Sequence, residues 1–214
     1  MRDLEWSGRE RVLDIGCGKG LQTHLISMRC GRITGIDIDA DALHHARRLA
    51  MYLPRCRVDH IPGSLESIGF PDSSFDRIFS ICVLEHIANY EEVLRECLRI
   101  LMPGGDIVFS VDTLENIEDV KIVEKHRREH HVVQYFREDT IHALLENTGF
   151  TDIRSQPLFR SEMARELFLC GIRQGSFNSG LKTSAISRKL SAAEALAPGG
   201  AKGIFLLVRA KKAP

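Results

Sequence analysis

No apolar run in this chain approaches the roughly 20 residues that a membrane-spanning helix requires. The start, Met1-Arg2-Asp3-Leu4-Glu5-Trp6, lacks the apolar stretch of a signal peptide. A cytoplasmic protein is therefore expected. No Cys-x-x-Cys pair occurs: Cys17, Cys30, Cys56, Cys82, Cys97 and Cys170 are scattered through apparent strands and helices. That pattern predicts reduced, mostly buried thiols rather than disulfides or zinc ligands. Internal repeats and low-complexity tracts are absent too. The formal net charge is +0, so the overall basic footprint of a nucleic-acid binder is missing. The balance is uneven, however. Residues 1–152 hold 18 Lys/Arg against 26 Asp/Glu, and residues 153–214 hold 11 against 3, which gives an acidic front part and a basic tail part.

What remains is an ordinary globular composition, 43% hydrophobic and 27% charged, in a chain of 214 residues, enough for one α/β domain with a proper core. Its organising stretch is Val12-Leu13-Asp14-Ile15-Gly16-Cys17-Gly18-Lys19-Gly20. An apolar strand runs into alternate glycines and then into a helical pattern from Leu21 to Arg29, with Leu21, Leu25, Ile26 and Met28 expected on the apolar face. Such a turn lets backbone approach a ligand closely. The G-x-G-x-G spacing differs from the G-x-G-x-x-G that receives a pyrophosphate. Asp14 ahead of it would repel a phosphate and suit a cation, which argues against a nicotinamide-dependent oxidoreductase.

Strands are expected at 11–14, 32–37, 57–61, 77–82, 106–111, 150–155 and 203–209, with helices between most of them. Asp39 or Asp41 caps the helix that Pro54 stops, and Pro103-Gly104-Gly105 ends the helix begun at Asn89. This alternation predicts an α/β fold with a doubly wound, mostly parallel seven-stranded sheet, closed by an antiparallel C-terminal hairpin and interrupted by a helical insertion. The chain reads as a single domain, 1–214, with candidate substrate-covering segments at 112–136 and 158–202. Asp37, at the end of the second strand, has two oxygens for the two hydroxyls of a ribose.

Asp14-Ile15-Gly16-Cys17-Gly18-Lys19-Gly20, Gly35-Ile36-Asp37, Gly63-Ser64-Leu65-Glu66, Phe70-Pro71-Asp72-Ser73-Ser74-Phe75-Asp76, Val83-Leu84-Glu85-His86 and Leu101-Met102-Pro103-Gly104-Gly105 follow one another in order. Together they resemble the small-molecule branch of the class I S-adenosylmethionine (SAM) methyltransferases over about residues 10–155, a Rossmann-like fold. By that resemblance Gly16, Cys17 and Gly18, with Gly20 completing the loop, hold the methionine part of SAM, and Asp14 organises the loop. Asp37 takes the ribose, Ile38 flanks the adenine, Ser64 and Leu65 meet the adenine edge, and Ile81 touches the cofactor through its backbone. The family often has an acid where Ser64 stands. The product would be S-adenosylhomocysteine.

Methyl transfer from a sulfonium is an in-line displacement, so proximity and orientation carry much of the rate gain. A base is needed only when the acceptor arrives protonated. His86, after the fourth strand, is the first candidate, with Glu85 beside it. Both residues equally suit fixing the loop by hydrogen bonds. His130 is a further candidate. His126 and His130 stand one helical turn apart, but with no Cys or third ligand nearby no metal is expected, and a solvated lid face is the simpler reading. In the insertion, Met163, Leu167, Phe168 and Ile172 can share one helix face, and Ile186, Leu190, Ala193 and Leu196 another. Arg160, Arg165, Arg173, Lys182, Arg188 and Lys189 surround them. This segment either packs on the sheet edge or receives an anionic or lipid-linked acceptor, with peripheral contact to anionic lipid. A small-molecule acceptor is expected and no nucleic acid: the Asn/Asp-Pro-Pro-aromatic element of amino-methylating DNA enzymes is missing after Ile81. The alternative is a non-catalytic SAM-binding sensor or partner subunit.

Overall fold

The structure, a computed structural model, describes residues 4–52, 56–174 and 184–214, the side chains of 184–187 excepted. Pro54 and Lys182 lie outside the described residues, as does the side chain of Ile186. Seven strands form one sheet: β1 (Arg11–Ile15), β2 (Arg32–Asp37), β3 (Arg57–Pro62), β4 (Phe75–Ile81), β5 (Leu101–Asp112), β6 (Phe150–Leu158) and β7 (Phe205–Lys212). Their order is β3-β2-β1-β4-β5-β7-β6. The first five pair in parallel, and β7 runs antiparallel to both β5 and β6. The closing hairpin is therefore present, with β7 inserted between β5 and the edge strand β6.

Side chains alternate across the strands, so neighbouring residues serve opposite layers. Leu13, Ile78, Ile107 and Phe109 face a layer built with α4 (Tyr90–Ile100) and α6 (Glu138–Thr148). Val12, Ile33, Phe79 and Val108 face the other, with Ile26 of α1 (Leu21–Ser27) and with Leu4 and Trp6 of the lead-in. The polar start is thus tied down: Trp6 stacks on Phe79 at 6.0 Å, and the Arg77 guanidinium lies 4.5 Å over the Trp6 ring.

Helix α1 departs from expectation. Leu21, Leu25 and Met28 are exposed, and the buried face is Thr23, Ile26 and Ser27. Seven residues give less than two full turns, and the face that meets the sheet is fixed by Thr23, which bonds Asp14. In α2 (Ala40–Tyr52) Asp39 is the cap, its Oδ1 accepting from the N–H groups of Asp41 and Ala42 at 2.9 and 3.0 Å. Pro103-Gly104-Gly105 does not simply stop α4. Those residues form a bulge inside β5, since Phe75 pairs with Leu101 and Arg77 with Asp106.

The segment 112–136 is more core than lid. Leu114, Ile117, Val132 and Phe136 are buried around α5 (Val120–Glu129). Leu114 and Ile117 join Phe168, Leu169 and Ile172 of α7 (Glu162–Gln174) and Ile204 in a third apolar cluster. The face of α7 is rotated from the expected one, with Ala164, Phe168 and Ile172 inward and Met163 and Leu167 half-buried. In α8 (Ser184–Ala195) Glu194 receives the N–H groups of Arg160 and Ser161 at 3.0 and 2.7 Å. Leu196, expected on its apolar face, is exposed. All six thiols are free, Cys170 is exposed, and Cys30 and Cys56 approach to 3.7 Å. No described helix is long and apolar enough to cross a membrane.

Beneath the sheet centre Asp106 is held by two guanidiniums. Its Oδ1 accepts from Arg77 Nε at 2.5 Å and its Oδ2 from Arg209 Nη2 at 2.8 Å. Breaking such a buried pair strands a charge. Asp106→Ala is expected to cost about 3–5 kcal/mol in urea unfolding, by leaving the Arg77 guanidinium uncompensated.

Candidate cofactor and acceptor site

The four central parallel strands deliver their carboxyl ends to one edge, where ligands of such sheets bind. The glycine loop follows β1 there. Its glycines serve different ends. A Cβ on Gly16 would meet Val83 Cγ2 at 2.3 Å, and one on Gly20 would meet Ala46 Cβ at 2.8 Å, so the protein's own packing requires both. Gly18, at φ +52°, faces open space within 4 Å and is the glycine that leaves room for a ligand.

Four of the loop's N–H groups, those of Gly16, Cys17, Gly18 and Gly20, are engaged within the protein. Gly16 and Cys17 donate to Ile36 O at 2.9 and 3.0 Å, Gly20 donates to Cys17 O at 2.9 Å, and Gly18 donates to Asp37 Oδ2 at 2.7 Å. Those four donors are withdrawn from a ligand, so a pyrophosphate would depend on the first turn of α1 alone. Asp37 lies at the same place, its Oδ1 accepting from Asp39 N at 2.9 Å. Each carboxylate oxygen keeps a lone pair for a hydroxyl. Ile38 beside it is 81% exposed, an apolar surface at the cleft edge.

A family profile described as "Methyltransferase domain" matches residues 13–109. A Mycolicibacterium smegmatis protein named probable S-adenosylmethionine-dependent methyltransferase is 34% identical over 149 residues, 67% of this chain and 52% of that one. The chain belongs to the class I SAM-dependent methyltransferases. A demethylmenaquinone methyltransferase of Tropheryma whipplei is 36% identical over 102 residues, 46% of this chain and 40% of that one. The solved Haemonchus contortus phosphoethanolamine N-methyltransferase 2, with phosphomonomethylethanolamine and S-adenosylhomocysteine, shares the fold at TM-score 0.73 and 19% identity, covering 99% of this chain and 50% of that one. The chain thus spans about half the length of these relatives.

SAM is the cofactor of this family, and the residues present fit it: engaged loop donors, open space at Gly18 and spare lone pairs on Asp37. Asp14, Leu65 and Ser64 are each engaged within the protein itself. Asp14 is buried at 2% exposure, and its Oδ2 accepts from Thr23 Oγ1 at 2.5 Å. It ties the end of β1 to the start of α1, in keeping with the loop-organising place that the resemblance gave it, and its burial keeps the carboxyl away from a direct cation contact. Leu65 puts its side chain into the main core, so only its backbone is available to an adenine. Ser64 opens α3 (Leu65–Ile68), its N–H donating to Ser67 Oγ at 3.0 Å. Ile81, half-buried, ends β4 opposite Ser110.

Beyond β4 the acceptor side is unlike its sequence reading. His86 is exposed at the end of a 3-10 turn (Leu84–His86), and its Nδ1 lies 3.4 Å from His131 O. A carbonyl accepts only, so Nδ1 carries the hydrogen and Nε2 is the basic nitrogen. Glu85 is not an accessible neighbour to it. The residue is fully buried because its backbone carbonyl accepts from Val133 N and Gln134 N, which lay the His-rich segment over it. Burial, with Asp112 beside it, holds the Glu85 carboxyl well above the usual carboxylate range.

His126 is buried rather than solvated, packed against Tyr135 and Phe168, with the half-buried His130 ring at 4.6 Å. Burial, then His130 and His86, push its pKa down to about 4. Asp112, at the end of β5, was not singled out from the sequence. It is buried, 3.7 Å from His126 Nε2. Its signal was an acid at the carboxyl end of a parallel strand, the position that Asp37 holds on β2. Cys82 has φ +52°, a costly conformation for a residue with a Cβ. Its Sγ lies 3.4 Å from Ser110 Oγ. A separate groove of about 520 Å³ lined by Arg11, Arg32 and Phe75 lies near the strands' amino ends, away from this edge.

Two outcomes are expected. Gly18→Ala costs about 1–2 kcal/mol of stability from its left-handed backbone and weakens S-adenosylhomocysteine binding about tenfold, about 1.4 kcal/mol, in calorimetry. Gly16→Ala instead fails to fold stably. Asp14 has its pKa pushed up to about 7, by burial first and then by Asp37, against the Thr23 hydrogen bond. The folded state holds that proton more tightly than the unfolded chain. Its contribution is therefore complete below about pH 4 and is lost as pH rises through about 7. Asp14→Asn is expected to flatten that part of the stability profile in urea unfolding.

Proposed function

We propose that the chain transfers the methyl group of SAM to a small-molecule acceptor held over the carboxyl ends of β4 and β5. The observation that carries this is the glycine loop, four of whose N–H groups are engaged within the protein, one of them by the Asp37 carboxylate at the end of β2. When bound, SAM supplies a methyl group on a positively charged sulfur. The chain's own part is to orient it. Gly16–Gly18 backbone oxygens would take the ammonium, Asp37 the ribose hydroxyls, Ile38 and the backbone at Ser64 and Leu65 the adenine, and the Ile81 backbone the cofactor's near side. Holding the acceptor in line is then the main source of acceleration.

His86 is the base this reading assigns to a protonated acceptor. Its ring is exposed and its tautomer leaves Nε2 as a lone-pair donor. Glu85 would act on it through the turn that they share, as a positioning residue. His130 supports the His126 ring and is placed with the positioning groups as well.

The narrower form of the proposal is an anionic or lipid-linked acceptor. Its support is the basic excess after residue 152 and the packing of α7 against the segment 112–136. Against a broad basic face, Arg165 pairs with Glu162 and Arg160 with Glu194.

The test is release of S-adenosylhomocysteine from SAM by the purified chain, against a panel of hydroxyl, amine and carbon acceptors with and without anionic vesicles. Turnover with at least one acceptor is expected. His86→Ala is expected to lower kcat by about 10²–10⁴-fold for a hydroxyl acceptor with cofactor affinity unchanged. Cofactor binding with no turnover across the panel would overturn the enzymatic reading. Equal rates with and without vesicles would overturn the lipid version.

A further inference from the structure

We propose that Cys82, Glu85 and Asp112, with His126 behind Asp112, form a binding site for a divalent transition-metal ion of the zinc type, at the carboxyl ends of β4 and β5. One ligand atom from each of Cys82, Glu85 and Asp112 lies within 4.8 Å of the other two. The corners of such a triangle stand no more than about 2.8 Å from its centre, against about 2.0–2.3 Å in zinc sites. A contraction of about half an ångström, within ordinary side-chain adjustment, closes the set.

Two independent features call for a cation there. The first is Glu85. It is fully buried, no hydrogen bond of ordinary length and angle reaches either of its carboxylate oxygens, and the polar groups it does face include the Asp112 and Cys82 side chains. A carboxyl group withdrawn from water without a partner is costly, and buried acids are ordinarily paired or bound to metal. The second is the His126 tautomer. Tyr135 has one hydroxyl proton, which it donates to Val123 O at 3.2 Å. His126 Nδ1, 3.0 Å from that hydroxyl, must then be the donor to it. This leaves Nε2 as a bare lone pair, 3.7 Å from Asp112 Oδ2. Two acceptors facing each other need a proton or a cation between them.

The donor set selects the ion. One sulfur, two carboxylates and an imidazole favour zinc and similar ions over magnesium or calcium, which prefer all-oxygen shells. The strained Cys82 backbone keeps its thiol at the strand end, with Ser110 hydroxyl beside the sulfur. The Tyr135–His126 bond orients the imidazole from behind, the arrangement that outer partners of a metal site adopt. Only the ion's task rests on the methyltransferase reading. With three or four protein ligands it would hold and polarise an oxygen acceptor next to the incoming methyl group.

The experiment titrates the chelator-treated full chain with Co²⁺ and Zn²⁺ without SAM, so its failure is distinguishable from a failure of the methyltransferase reading. One equivalent of Co²⁺ bound, with a thiolate-to-cobalt charge-transfer band, is expected. Cys82→Ser should abolish the band, Glu85→Gln should weaken binding at least about tenfold, and Cys170→Ser should change nothing. No stoichiometric binding by the wild-type chain would overturn the proposal, and would mean that a proton shared by Glu85 and Asp112 fills the place of the ion. A band that survives Cys82→Ser, or binding untouched by Glu85→Gln, overturns it equally. Should either variant fail to fold by circular dichroism, X-ray absorption of the zinc-loaded wild type decides. A shell with one sulfur supports the site, and one of oxygen and nitrogen alone overturns it.

Discussion

The parallel pairing of β4 with β1 on one side and β5 on the other is the constraint from which the site follows. Parallel strands share a direction, so every chain segment leaving a carboxyl end emerges on the same edge. The glycine loop after β1, Asp37 on β2, Cys82 after β4 and Asp112 on β5 are far apart in sequence and neighbours for that reason alone. The antiparallel β7, wedged between β5 and β6, then fixes β5 from its other side through a ladder running from Asp106 to Asp112.

The polarity of the loop is set by the same strands. Ile36 O, at the end of β2, accepts from both Gly16 and Cys17, and Asp37 accepts from Gly18. Each bond that stabilises the turn removes a donor from the ligand side. The turn that welcomes a phosphate in dinucleotide enzymes does so by leaving those N–H groups outward. Here structure and specificity are one set of hydrogen bonds. Asp14 contributes from inside, by holding Thr23 and so the start of α1.

The acceptor side works against stability. Glu85, Asp112 and His126 are buried polar groups, and burial moves all three toward their neutral forms. A carboxyl pair and an imidazole of this kind cost free energy that an apolar filling would not. Functional sites are where such costs are retained. The surrounding core, with Phe136 on one side and Phe168 on the other, makes that tolerable by holding the segment 112–136 in place.

The seven strands, their helices, the closing hairpin and the glycine turn with the acid of β2 beside it were legible in the sequence, because they depend on local matters: period-two and helical spacing, glycines at a turn, acids at strand ends. Boundaries blurred where context intervened, as at Pro103-Gly104-Gly105, where a bulge replaces a helix stop. The faces of α1 and α7 were misplaced, since an amphipathic stripe says which residues are apolar and not which layer they meet. The acceptor side was hardly legible at all. Glu85 reads as a neighbour of the base candidate His86, and His126 as part of a solvated lid face, until Val133 and Gln134 close over the turn. Cys82, Asp112 and His126, separated by 30 and 14 positions, have no local pattern in common. The sequence by itself determined the fold and the glycine loop, through interactions between near neighbours. Only tertiary structure decided which acids are buried together and what they face, because burial and proximity across strands belong to the packed sheet and not to any one segment.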